Sequence, residues 1–313
     1  MPKVSVIGAG DVGATVAFAL QISGLATEIV LLDANAQRAE GNALDLNHGL
    51  FFTPPCLIRA GDWAACAGSD VIVITAGARQ QSGETRLDLT RRNAAICRGI
   101  VEQLRPHVGA ARLLVVANPM DLMTQVVAEA AGLEAGRVFG SGTVLDSARF
   151  RFELSQWCGV DARNVHAYVL GEHGDSEVFV WSHVAVGAVP FETFCRGCPR
   201  GCETAQRGEI EQRVRQSAYH VIEAKGFTNY GVSLAVAKIL EAILRDERSV
   251  LTVSTRLSGA YGLHGVSLSV PCVVGAGGVE RVVEMVLSAE EQAGLERSAA
   301  LLRSAASNAA GPL

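Results

Sequence analysis

The chain predicts an α/β fold: a doubly wound parallel (Rossmann) sheet in the N-terminal half, then a mixed α/β domain. Three observations carry this. Strand-length apolar runs alternate with helix-length segments from residue 4 into the 130s. The first of them, Val4-Ser5-Val6-Ile7, passes directly into Gly8-Ala9-Gly10-Asp11-Val12-Gly13 and then into the apolar stretch Ala14 to Leu20. The 313 residues exceed the size at which a single core usually stops growing, so two domains are expected, 1–143 and 144–313.

The first turn carries the earliest chemistry. Its glycines allow a tight turn, a close approach of backbone to a pyrophosphate, and a helix seated near the strand. The helix start offers free N–H groups and positive dipole to phosphate. A second strand, Glu28-Ile29-Val30-Leu31-Leu32, ends at Asp33, twenty residues past Gly13. An acid there suits a ribose hydroxyl pair and repels a 2′-phosphate, which points to NAD over NADP.

A helical segment then runs through His48, and Leu57-Ile58-Arg59-Ala60 reads as a short strand. Asp70-Val71-Ile72-Val73-Ile74-Thr75 is nearly all apolar, as a strand covered on both faces should be. The polar loop Gly77 to Gly83 leads to a helix from about Leu87 to Leu104, stopped by Pro106. Strand Arg112 to Ala117 ends at Asn118-Pro119, and a helix follows through Ala130.

Past Gly140 the pattern changes. A helix starts near Leu145, and strands are expected at Val165–Leu170 and Phe179–Val186. Glu209 to Lys225 places Ile210, Val214, Ser217/Ala218 and Val221/Ile222 on one helical face. Ser267 to Val274 alternates as a half-buried strand, and Ser288 with Glu291 makes a capping box for a last helix.

Composition excludes several classes. The formal charge is −5 with no basic block, which argues against nucleic acid. No apolar run approaches membrane-spanning length, and the early strand leaves no room for a signal peptide, so a cytoplasmic enzyme is expected. Cys56, Cys66, Cys97, Cys158 and Cys272 sit in apolar or helical contexts and read as core residues. Cys195, Cys198 and Cys202 form a cluster lacking a fourth zinc ligand. An exposed loop is the first expectation there, a thiol redox site or a metal site the others, and stable disulfides are not expected in the cytosol.

The run Tyr168-Val169-Leu170-Gly171-Glu172-His173-Gly174-Asp175-Ser176 sets a histidine between glycines at a strand end, where an imidazole can exchange protons near neutral pH. Asp146 and Arg149 lie three apart on a helix and hence on one face, which a plain surface ion pair would also explain. Arg86, Gln80, Asn118 and Thr228 each have ordinary loop or turn explanations when taken singly.

Taken together they form a recognisable set. Gly8–Gly13 with Asp33, the loop Gly77 to Arg86, Asn118-Pro119-Met120-Asp121, the run Gly140 to Arg151 and Gly171–Ser176 resemble the L-lactate/malate dehydrogenase family across nearly the whole chain. The resemblance is nearest to the bacterial-type L-lactate dehydrogenases, since no arm precedes the first strand. It implies hydride transfer between NADH and pyruvate, giving L-lactate. His173 would be the acid and base, Asp146 its partner, and Arg149 the fork for the substrate carboxylate. Arg86 would polarise the carbonyl from a closing loop, Asn118 and Asp121 would lie at the substrate, and Thr228 would line the pocket beside the methyl. The bond between Asn118 and Pro119 would be cis. Gly8, Gly10, Val12, Gly13, Asp33, Arg38, Gly77, Ala78, Val116, Ala117, Asn118 and Ser141 would hold NAD, and no metal is implied.

Gln80 occupies the position where the family's malate dehydrogenases carry arginine for a second carboxylate. Its neutral amide favours pyruvate, with malate or a broader 2-hydroxy acid as the alternative and a non-catalytic NAD-binding redox sensor as the reading from another class. Arg151 and His166 match the pair that binds fructose 1,6-bisphosphate in the family's allosteric bacterial homotetramers.

Overall fold

The computed structural model describes residues 2–78, 83, 85–196 and 204–310, so Gln80, Cys198 and Cys202 lie outside the described residues. In the N-terminal half, β1 (Lys3–Ile7), α1 (Asp11–Ser23), β2 (Glu28–Leu32), α2 (Ala36–His48), β3 (Leu57–Ala60) and β4 (Val71–Ile74) follow one another. Next come α3 (Arg86–Leu104), β5 (Arg112–Val115), α4 (Met120–Ala131) and β6 (Val138–Gly140). The six strands lie parallel in the order β3-β2-β1-β4-β5-β6. Strand order reverses between β1 and β4, and a ligand crevice opens at the carboxyl ends of strands at such a point. Val4, Val6, Ile29, Leu31 and all four residues of β4 are buried, as strands covered by helices on both faces require.

The second half begins with α5 (Val144–Cys158), then β7 (Val165–His166), β8 (Val169–Leu170), β9 (Val178–Phe179), β10 (Ala185–Val186), β11 (Val189–Pro190) and α6 (Phe191–Cys195). It continues through α7 (Thr204–Lys225), α8 (Tyr230–Leu244), β12 (Ser249–Ser258), β13 (His264–Gly275), β14 (Gly278–Val282) and α9 (Ala289–Ala310). β12, β13 and β14 are antiparallel and extend the main sheet beyond β6, so one sheet runs through both halves. A second apolar cluster lies under the short strands, where Phe150 meets Phe179 and Trp181 edge-on at 5.0 and 4.9 Å.

Four expectations are corrected here. Val165–Leu170 and Phe179–Val186 are each broken into two short strands. In the first of these, side chains of α5 and of Thr143 just before it take the groups a longer ladder would use: Arg151 donates to the Ala167 carbonyl, Ser147 accepts from the Val169 N–H, and Thr143 donates to the Val169 carbonyl. β13 is buried on both faces from Val266 onward, because α4, α8 and α9 pack on it. On α7, Ile210 and Val214 are buried while Val221 and Ile222 stay exposed, so that apolar face outruns the core that covers it. β12 has no counterpart among the expected strands. The capping box at Ser288 and Glu291 forms as expected, each backbone N–H bonding the other's side chain.

Candidate active site

The glycine turn between β1 and α1 divides into two kinds of position. Gly8 has φ +101°, and a Cβ there would lie 2.6 Å from the Ala76 nitrogen, while one on Gly13 would lie 1.9 Å from the Gly8 carbonyl oxygen. These two glycines are required by the turn itself. A Cβ on Gly10 would meet nothing nearer than the Arg38 guanidinium at 3.8 Å, so its space is open. The helix behind it starts with no side-chain cap, which leaves its first N–H groups to an outside acceptor. Asp33 is pinned at the end of β2, its two oxygens accepting from the Ala9 N–H at 2.7 Å and the Asn35 N–H at 2.9 Å. Arg38 reaches Asp11 at 3.4 Å. An open glycine, an uncapped helix start and a held carboxylate fit a dinucleotide, with Asp33 at its ribose.

Asn93 on α3 stitches together the loops at the neighbouring strand ends. It is 2% exposed. Its Oδ1 accepts from the Ala78 N–H at 2.7 Å, and its Nδ2 donates to the Asn118 carbonyl at 2.8 Å. This fixes Gly77-Ala78 against Val116-Ala117-Asn118, and the Asn118–Pro119 bond is cis. Ser141 is buried just past β6, its N–H bonded to the Val115 carbonyl. Sequence reasoning missed Asn93; its signal was a lone amide on the apolar face of a helix.

The candidate proton-transfer group is built from one helix and one loop. Asp146 and Arg149 share a face of α5, and Arg149 Nη1 lies 2.9 Å from Asp146 Oδ1. His173 follows β8, with Nδ1 2.5 Å from Asp146 Oδ2. With Nδ1 engaged, Nε2 is the ring atom left for a reactant. The side chain of Asp146 is 4% exposed, that of His173 26%. The Asp146 charge holds His173 up at about 9 against burial, so the imidazole is cationic at neutral pH. Burial alone would push Asp146 up; the His173 and Arg149 cations outweigh it and keep the carboxyl below its ordinary range.

The loop is held from beneath. The Glu172 N–H donates to Ser298 on α9 at 2.8 Å, and Ser176 donates to Glu172 at 2.5 Å. Gly171 takes φ +89°, where a Cβ would press on Ser298 at 2.9 Å.

Residues 2–140 match the lactate/malate dehydrogenase NAD-binding domain, and residues 143–310 match the α/β C-terminal domain of the same family. The chain belongs to the lactate/malate dehydrogenase family. It is 50% identical over 304 residues to an L-lactate dehydrogenase of Thermoanaerobacter sp. (strain X514), covering 97% of this chain and 98% of that one. It is 52% identical over 305 residues to one of Treponema denticola, covering 97% and 96%. Among solved structures, a lactate dehydrogenase from a Medee basin deep-sea metagenome superimposes with TM-score 0.96 at 40% identity, covering 99% of both chains. The minor L-lactate dehydrogenase of Enterococcus mundtii gives 0.95 at 36%, covering 98% of both.

Within this family frame the remaining site residues fall as follows. Val12 lies half-buried in the first turn of α1, and Val116 and Ala117 are buried beyond β5. Arg86 opens α3 behind a Thr85–Asp88 capping box; its side chain lies outside the described atoms. Thr228 is half-buried between α7 and α8, beside Asn229, whose amide reaches Thr15 on α1 at 2.9 Å. Asp121, expected at the substrate, is instead 2% exposed beneath the loop. Its Oδ2 accepts from the His173 N–H at 2.7 Å and its Oδ1 from Ser269 at 3.4 Å, and burial raises its carboxyl to about 6. It holds the histidine backbone in place.

Arg151 is half-buried, its Nε donating to the Ala167 carbonyl at 3.0 Å and its guanidinium lying 5.2 Å from the centre of the Tyr168 ring. His166, next in sequence to Ala167, is exposed on β7. Cys56, Cys66, Cys97 and Cys272 are buried free thiols, as expected, and Cys158 is free and half-buried. Cys195 corrects the expectation of an exposed loop without disulfides: it is buried at the end of α6 and disulfide-bonded. It faces the second apolar cluster, which explains its burial. Among the described residues no His, Cys, Asp and Glu group could hold a metal ion, and no helix is long and apolar enough to cross a membrane.

Proposed function

We propose that this chain is an NAD-dependent L-lactate dehydrogenase, reducing pyruvate with NADH and a proton to L-lactate and NAD, and reversibly oxidising lactate. The observation that carries the reading is the contact chain Arg149–Asp146–His173, in a protein whose N-terminal half also carries a dinucleotide turn. Nearly full-length relatives named L-lactate dehydrogenase support the substrate.

The bound nicotinamide supplies or accepts the hydride. Arg149 offers its guanidinium to the substrate carboxylate. His173 Nε2 delivers a proton to the carbonyl oxygen during reduction and removes the hydroxyl proton in the reverse direction. Asp146 fixes the tautomer and stabilises the imidazolium. Arg86 polarises the carbonyl, Asn118 bonds near it, and Thr228 lies beside the methyl. Gln80 offers no cation to a second carboxylate. Gly8 to Gly13, Asp33, Arg38, Gly77, Ala78, Val116, Ala117 and Ser141 receive the cofactor.

Initial rates of NADH oxidation with pyruvate and with oxaloacetate test this. Burying one uncompensated carboxylate costs several kcal/mol, so kcat/KM should favour pyruvate by at least about a hundredfold. Equal values would replace the assignment with the malate reading. His173→Asn should bind NADH but lose turnover by roughly two to four orders of magnitude; native-like turnover would remove His173 from the mechanism.

The same reading extends to organisation and regulation. We place the domain boundary near residues 143 and 144 and the enzyme in the cytoplasm as a fermentative, glycolysis-linked homotetramer. Exposed Phe18, Phe51, Phe52, Tyr230 and Leu234 support burial against further copies. Arg151 and His166 would take fructose 1,6-bisphosphate. Added sugar phosphate should then lower the pyruvate KM, and Arg151→Gln should abolish that response.

A further inference from the structure

Within electrostatic reach of the Asp146–His173 pair lies a second carboxyl that the reaction does not use. Glu177 closes the catalytic loop just before β9 and is 5% exposed, and its Oε1 is buried without a hydrogen-bond partner. The adjacent cation is engaged elsewhere. Arg215 on α7 gives Nη1 to Glu211 at 3.1 Å and Nη2 to the Glu177 main-chain carbonyl at 3.3 Å. Its guanidinium lies 4.7 Å from the centre of the Phe179 ring. The charges that act on Glu177 come from three elements: Asp146 and Arg149 on α5, His173 on its own loop, and Arg215 on α7.

We propose that Glu177 is a positioning residue for the reaction: an uncharged acid whose deprotonation sets a further negative charge within electrostatic reach of Asp146 and disfavours a substrate carboxylate at Arg149. The proposal rests on the functional reading above. Charge balance supplies the reason. With substrate bound, Arg149 and protonated His173 offset Asp146 and the substrate carboxylate, Arg215 is paired with Glu211, and Asp121 beneath His173 already leaves one negative charge. An ionised Glu177 adds a second, which a desolvated site resists. Burial first, and Asp146 second, push the Glu177 carboxyl up to about 8, so the acid is protonated at neutral pH. In alkaline solution substrate binding therefore draws back two protons, one to His173 and one to Glu177, and the two sites titrate as a coupled set.

The test is the pH dependence of oxamate affinity for the NADH-loaded enzyme, oxamate being the amide analogue of pyruvate. The number of protons taken up fixes how steeply affinity falls with pH. In the native enzyme the fall should steepen past tenfold per pH unit toward roughly a hundredfold as both groups ionise. In Glu177→Gln it should stop at about tenfold, because one proton remains. A slope limited to one proton in the native enzyme overturns the proposal, whether or not the variant folds. So does a two-proton slope that persists in Glu177→Gln. Failure of oxamate to bind at neutral pH would overturn the functional reading itself, and this inference with it. Tight neutral binding with a one-proton slope would overturn only the role of Glu177.

Discussion

Asparagine at position 146 keeps the shape of the carboxylate and removes the charge that acts most strongly on His173. Asp146 Oδ2 lies 2.5 Å from Nδ1 and holds the imidazole at about 9 against an ordinary 6.5. Burial acts the other way, so without the carboxylate the midpoint should fall to 6.5 or below. That difference corresponds to ~3 kcal/mol of imidazolium stabilisation at ~1.4 kcal/mol per tenfold. The ring is a quarter exposed, and solvent weakens the interaction. A midpoint at 6.5 leaves about a quarter of the rings protonated at pH 7, so the loss in kcat/KM for pyruvate should be roughly fourfold there and grow toward at most about three-hundredfold above pH 9. Part of it should return in acid, where solution protons supply what Asp146 no longer holds. The assay is kcat/KM for pyruvate from about pH 5.5 to 9.5 by NADH absorbance, with NADH affinity measured separately to show that the cofactor site is intact. An alkaline midpoint that stays near 9, or a loss uniform across pH, would show that Asp146 supports the loop without controlling the proton.

Three further outcomes follow from the same contacts. Gly13→Ala should destabilise the protein severely, because its Cβ would overlap the Gly8 carbonyl, while Gly10→Ala should melt near the native temperature and weaken NADH binding; equal melting of the two would contradict the division of the turn. Asn93→Ala leaves the Ala78 N–H and the Asn118 carbonyl without their partner, so thermal unfolding should register a loss of about 1–3 kcal/mol with weaker NADH binding; an unchanged melting temperature would remove its stitching role. Stability should fall as pH rises from about 6.5 to 9. His173 and Glu177 bind protons more tightly folded than unfolded, so what they contribute is complete at low pH and is lost as pH rises through about 9 and about 8. A melting temperature that is flat or rising over that range would refute the raised midpoints.

The sequence alone determined the parallel half of the fold and the family. β1, β2 and β4 are short apolar runs beside turn-forming glycines, and a strand covered on both faces leaves that local signature. The candidate catalytic and cofactor residues were legible because most sit in contiguous motifs at strand ends or on one helix face, as with Asp146 and Arg149. Tertiary structure decided what depends on contacts between distant segments. Asp121 reads like a substrate residue, yet the return of the His173 loop, 52 positions later, buries it under that backbone. Asn93 became a stitch only when β4 and β5 lay side by side. The strand expected over residues 165–170 broke because side chains at and before the start of α5 took its ladder groups, and β13 lost its half-buried character when helices closed on it from both halves of the chain. Glu177 shows the limit most clearly. A glutamate in a polar loop reads as solvated, and only burial in the folded chain, with the Asp146 charge acting on it, removes the water that would have kept it charged.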